Sequence, residues 1–198
     1  MLDHLLVDVI SAIRRSFESA LLQRQAVEER FQVDVFLGDV SWETSYSLPG
    51  EQAPPRVRAD VSVDWPTWSQ TSYRSWSIGE LPDELPEVVI EVALRVQRLA
   101  EAPDTRTVLA ALGQENPLLG TEPMVRGATT IEQVYDDGPV RWAVEATFEG
   151  SVRFSEAQLD DSTLITPVID GLTRWIASTL IHLADLPFSF YPPDEDAT

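Results

Sequence analysis

Two stretches of the chain share one order of patterns. In each, apolar and polar residues first alternate, then a polar break intervenes, then apolar residues recur at three- and four-residue spacing behind a proline. The first stretch covers 56–100 and the second 139–183, and they read as ββα pseudo-repeats joined by a loop at 103–127.

The pattern before the first repeat is helical and then extended. Leu2, Leu5, Leu6, Val9, Ile13, Phe17, Ala20 and Leu21 form one stripe of a helix spanning 2–29, with Asp8, Arg15 and Glu18 opposite. The period then falls to two: Phe31, Val33, Val35 and Leu37 predict a half-buried strand. After Gly38-Asp39 the apolar set moves to Val40, Trp42, Tyr46 and Leu48, which requires a tight turn or bulge. Pro49 to Pro55 is a loop. Val57, Ala59, Val61, Val63 and Trp65 then make a strand that Pro66 stops.

Thr71 to Ile78 reads as a polar strand paired back onto it. Asp83 and Pro86 announce a helix whose buried face is Leu85, Val88, Val89, Val92, Val96 and Leu99. Asp104 caps a short helix through Thr107, Val108, Leu109 and Leu112, closed by Gly113. In the second repeat Thr130 to Tyr135 is a strand, and Asp136-Asp137-Gly138 is a hairpin signal. Alternation from Val140 to Phe148 continues through Val152 and Phe154. A single strand of that length would span roughly 50 Å, so a second hairpin at Glu149-Gly150 is the more economical expectation. Thr166-Pro167 opens a last helix with Ile165, Val168, Ile169, Leu172, Ile176, Leu180 and Leu183 inward. Phe188, Phe190 and Tyr191 are expected to fold back on the body.

Short turns between strands make neighbours antiparallel. The expected architecture is α+β: an antiparallel sheet with long helices on one face, a two-layer sandwich over 1–191, and a disordered acidic tail at 192–198. Arg58, Asp60, Ser62, Asp64, Arg141, Glu145 and Arg153 share the polar parity of their strands, so part of the second face meets water.

Charge narrows the partners. The 198 residues carry 33 acids against 14 bases, a net charge of −19. All the bases are arginine, for the chain has no lysine. Free nucleic acid and anionic membranes need clustered cations and are disfavoured, while a basic protein partner is favoured. Cysteine is absent, which removes disulfides and thiolate metal sites and fits a reducing cytoplasm. No run of about 20 apolar residues is evident, and Asp3 and His4 are wrong for a secretory signal. A soluble cytoplasmic protein is expected, with homodimerisation open.

Candidate chemistry is sparse. The two histidines, His4 and His182, fall on the first and last helices and are too few for a typical zinc site. The nine glycines never fall into a phosphate-cradling spacing. Acids such as Glu80, Asp83, Glu84, Asp136, Asp137, Asp160 and Asp161 sit beside turns and helix starts, where capping explains them. No cofactor and no catalytic residue is expected. Trp42, Trp65 and Trp142 share strand faces with aliphatic residues, whereas Trp68 and Trp76 flank a connection rich in Ser, Thr and Gln. With Tyr73 they are the candidate partner-binding residues, because exposed aromatics supply contact area at small entropic cost.

The element order of N-terminal helix, strands, middle helix, strands and closing helix resembles the type III secretion chaperone fold and its YbjN-like relatives. That resemblance implies a small, acidic, cytoplasmic, dimeric protein that holds partner polypeptides without catalysis. Separately, Ile10-Ser11-Ala12-Ile13-Arg14-Arg15 followed by Phe31-Gln32-Val33 is similar to the short trypsin-co-occurring domains of actinobacteria, over fewer than 80 residues. The sequence thus points to a non-enzymatic, chaperone- or adaptor-like protein-binding module. Two alternatives stand beside it: a carrier of a small apolar ligand, and an acidic inhibitor or immunity protein.

Overall fold

A computed structural model describes residues 4–22, 30–36, 38–48, 50–135 and 138–193. Its helices are α1 (His4–Leu22), α2 (Thr67–Ser77), α3 (Thr105–Leu112), α4 (Glu156–Asp160) and α5 (Thr166–Ala184). Its strands are β1 (Arg30–Phe36), β2 (Asp39–Ser47), β3 (Val57–Trp65), β4 (Glu87–Leu99), β5 (Leu118–Leu119), β6 (Glu122–Pro123), β7 (Val125–Val134) and β8 (Arg141–Arg153). Six strands form one antiparallel sheet in the order β1-β2-β3-β4-β8-β7, and β5 and β6 make a two-residue ladder of their own. The fold is α+β.

Alternation decides which face is covered. Val57, Ala59, Val61, Val63 and Trp65 of β3 are buried, and every residue between them is half-exposed. Their register partners Trp42, Thr44 and Tyr46 on β2, and Val92, Leu94 and Val96 on β4, are buried too. Across β8 the same face continues through Val144, Ala146, Phe148 and Val152. The helices pack on this inner face. In α5, Ile169, Leu172, Ile176, Leu180 and Leu183 are buried in the same cluster as Leu5, Leu6, Val9 and Ile13 of α1. Full burial of each such aliphatic side chain stabilises by roughly 2 kcal/mol. The segment Ser162–Ala184 is also long and apolar enough to cross a membrane, contrary to the sequence reading. Here its stripe is spent on the core.

Three elements differ from expectation. Residues 83–99 do not form a helix; β4 is a 13-residue strand and Pro86 is its buried entry. Val88, Val92 and Val96 recur every four residues, a spacing that satisfies a helix stripe and a strand face alike. Val88, Val89, Ile90, Val92 and Val96 are all β-branched, and that preference decides for the strand. Thr71–Ile78 is not a strand either but most of α2, whose Ser69, Gln70, Tyr73 and Trp76 follow the helical period. Finally, β8 runs unbroken from Arg141 to Arg153, with no hairpin at Glu149-Gly150. Gly150 serves close approach instead: a Cβ there would lie 3.0 Å from Met124 Cγ and 3.3 Å from Leu119 Cδ2. With the first helix replaced by a strand, 56–100 is β3-α2-β4 while 139–183 is β8-α4-α5 with a short 3₁₀ turn between the helices, so the ββα duplication is not present.

Other readings hold. Asp104 caps α3, accepting from the Arg106 N–H at 3.1 Å, and Gly113 ends it at φ 82. Phe190 bridges to Leu99, and the Tyr191 N–H donates to the Arg98 carbonyl at 2.8 Å, so this segment does fold back on the body. The expected turn at Asp136-Asp137 and the far end of the tail, 194–198, lie outside the described residues.

Candidate binding surfaces

The outer face of the sheet is built by register. One cross-strand row reads Glu43, Ser62, Glu91, Glu149 from β2 through β3 and β4 to β8. Flanking rows read Ser41, Asp64, Val89, Ser151 and Ser45, Asp60, Ala93, Thr147. Strands about 4.8 Å apart bring these side chains within a few ångströms of one another. Glu91 and Glu149 stand directly opposite, an arrangement that repels. Partial burial, then the charges of Glu149, Asp64, Glu145 and Glu43, hold the Glu91 carboxyl above its ordinary value.

Arginines temper part of the face. Arg95 on β4 reaches Glu145 at 3.0 Å and Glu132 at 2.7 Å. Arg58 meets Asp60 at 2.9 Å, and Arg153 meets Glu87 at 2.6 Å. Short hydroxyls fill gaps: Ser45 donates to Asp60 at 2.5 Å and Ser62 to Asp64 at 2.9 Å. The register partners of Glu43, Glu91 and Glu149 are Gln32, Ser62, Val125 and one another, so no cation stands across from them in the ladder. The result is a hydroxyl-lined surface with an acidic middle and mixed-charge margins.

The three aromatic candidates fall on one helix. Tyr73 lies 5.8 Å from the buried Trp65 ring and packs on the core, and the half-buried Trp76 stacks on Tyr73 at 5.8 Å. Trp68 is 42% exposed. The structure thus brings Tyr73 and Trp76 together and leaves Trp68 as the outward ring. Beyond α2, Ile78, Leu81 and Leu85 are also exposed, Leu81 to 88%, so Leu85 is not on the buried helix face that its spacing predicts.

α2 is positioned by contacts distant in sequence. The Ser69 hydroxyl accepts from Trp65 Nε1 at 3.0 Å and from the Glu87 N–H at 2.7 Å, and donates to the Glu87 carbonyl at 2.5 Å. Asp39 accepts from the Thr67 N–H at 2.6 Å and its hydroxyl at 2.9 Å, and the backbone donor foremost holds this carboxyl below its usual value.

A second polar feature lies at the far edge. Arg126 on β7 sets its guanidinium 5.1 Å from the Phe148 ring centre, and Phe148 meets Trp175 edge-on at 5.0 Å. An open cleft is lined by Gly50–Gln52, Arg56, Arg98 and 190–193, and within it Glu51 and Arg56 pair at 2.8 Å. His4 and His182 are both exposed, on α1 and α5. Among the described residues no group of three or more His, Asp or Glu side chains is placed to hold a metal ion. No protein-family model matches the chain, and comparison with curated proteins and with solved structures gives no significant match.

Proposed function

We propose that the protein is a binding module that holds a basic segment of a partner polypeptide against the outer face of its sheet. The observation that carries this reading is the acidic row Glu43, Glu91 and Glu149, left uncovered while its central carboxyl is already raised by its neighbours. An arriving Arg or Lys relieves that repulsion, so complementary charge gains more here than at scattered acids. Serines and threonines beside the row supply hydrogen-bond partners for a polypeptide backbone. Trp68, with Tyr73 and Trp76 behind it, offers a second, aromatic contact at the end of the sheet.

The other readings draw less support. Arg58, Arg95 and Arg153 interrupt the acids, which weighs against a mimic of the nucleic-acid backbone. The inner layer is filled by Trp65, Phe148, Phe154 and the aliphatic cluster, which weighs against a carrier of an apolar ligand.

The test is fluorescence anisotropy with a labelled peptide of alternating arginine and serine. Binding should weaken from low to physiological salt. The double variant E91Q/E149Q should lose about tenfold in affinity, some 1.4 kcal/mol. E115Q/D185N changes net charge equally but lies in the loop after α3 and at the end of α5, away from the outer sheet face, and should bind as the parent does. Equal affinities for the two variants would reduce the effect to bulk charge and end the proposal.

A further inference from the structure

β7 ends the sheet, and among the described residues nothing pairs with its outer edge. Eight of its ten residues are exposed, on both faces. Natural edge strands are usually guarded by charged side chains, prolines or bulges, since their free N–H and C=O groups recruit other strands. β7 has two charges, and both are drawn inward over the sheet. Arg126 lies over Phe148 and Glu132 is held by Arg95. It contains no proline and no lysine. Its one irregularity falls between Arg126 and Thr129, where a Cβ on Gly127 would collide with Thr147 Oγ1. From Thr129 to Val134 the ladder is regular, and Ile131 is 40% exposed within it.

We propose that this edge pairs antiparallel with the same edge of a second copy, on a two-fold axis at Ile131. The register follows from the pleat. A two-fold perpendicular to the sheet keeps inner faces together, so the axis must pass through a residue, not between two. An axis at Glu132 would set two carboxylates opposite each other, and one at Thr130 would draw in the irregular stretch at 127–128. At Ile131 the pairs are Ile131 with its mate, Thr130 with Glu132 and Thr129 with Gln133. No like charges meet. The sheet becomes continuous through both copies, with both acidic outer faces on one side.

The local surfaces match while the whole molecules repel, since each carries −19. Self-association therefore strengthens with added salt. That is the reverse of the salt dependence expected for the basic peptide, so this proposal and the proposed function fail separately.

The absence of cysteine makes a direct test available. Opposed residues of an antiparallel ladder have Cα atoms about 4.5–5.5 Å apart, within disulfide reach. Ile131→Cys should cross-link to its mate under mild oxidation at least tenfold faster than Val125→Cys, which is 71% exposed but lies outside the paired run. Sedimentation of the unaltered protein across the micromolar to sub-millimolar range should show a monomer–dimer equilibrium that Ile131→Lys shifts tenfold or more toward monomer. Matching thermal melts for the variants would confirm that each folds. A monomer at every concentration and salt overturns the proposal, as does cross-linking no faster at 131 than at 125.

Discussion

Ser69 shows how much one small polar side chain can carry. A hydroxyl has one proton and two lone pairs, and Ser69 commits all three to Trp65 and to both backbone groups of Glu87 while fully buried. Ser69→Ala strands the Trp65 N–H and the β4 entrance without partners. A loss of about 2–3 kcal/mol is expected, read from urea midpoints. Nothing in the sequence could signal this, because the partners lie 4 and 18 residues away on other elements. Asp104, by contrast, was legible: its target N–H is two residues on, and Gly113 marks the other end of the same short helix. Glu91 carries a pH signature. Its folded carboxyl titrates above its unfolded value, so the fold prefers the protonated form. The penalty is absent below the unfolded value and sets in as pH rises through the folded one. Glu91→Gln should therefore raise stability near neutral pH by about 0.5 kcal/mol, the scale of a cross-strand like-charge pair, and have no effect in acid. Denaturant titrations at the two pH values measure it.

At the scale of elements, periodicity was sufficient where only one period fitted. β3 alternates over nine residues without a competing helical stripe, and α5 has a stripe without alternation. β4 satisfied both, and the decisive signal was the density of Val and Ile, not their spacing. α2 failed for another reason: its apolar content is low, and its start at Pro66 is stabilised from outside by Asp39. Gly150 illustrates the same difficulty, since a glycine amid alternation fits a turn as well as a crowded strand. The two differ in consequence. Gly150→Ala forces Met124 to move, so about 1–3 kcal/mol of destabilisation is expected in thermal melts. In α5, Ile176→Ala empties a fully buried site and should cost about 2–5 kcal/mol by urea denaturation.

For the molecule as a whole, composition announced an acidic protein but not where its acids meet. Glu43, Glu91 and Glu149 are each more than 45 residues from the next in sequence, and only the ladder register aligns them. The polar parity of β3 and β8 did reveal that one sheet face is wet. The edge at β7 was invisible for a similar reason: strand order is a property of the assembled sheet, and β8 takes the inner place although it follows β7 in the chain. That order also bears on biosynthesis. β1 to β4 can zip together in turn as they leave the ribosome, but the far side of β4 must then wait for 41 intervening residues before β8 begins. During that interval a nascent polypeptide presents a long, valine-rich template that would accept a strand from any neighbouring chain. Correct maturation is thus a race between the arrival of β8 and a stranger, and slower elongation through the α3–β7 stretch should favour the stranger.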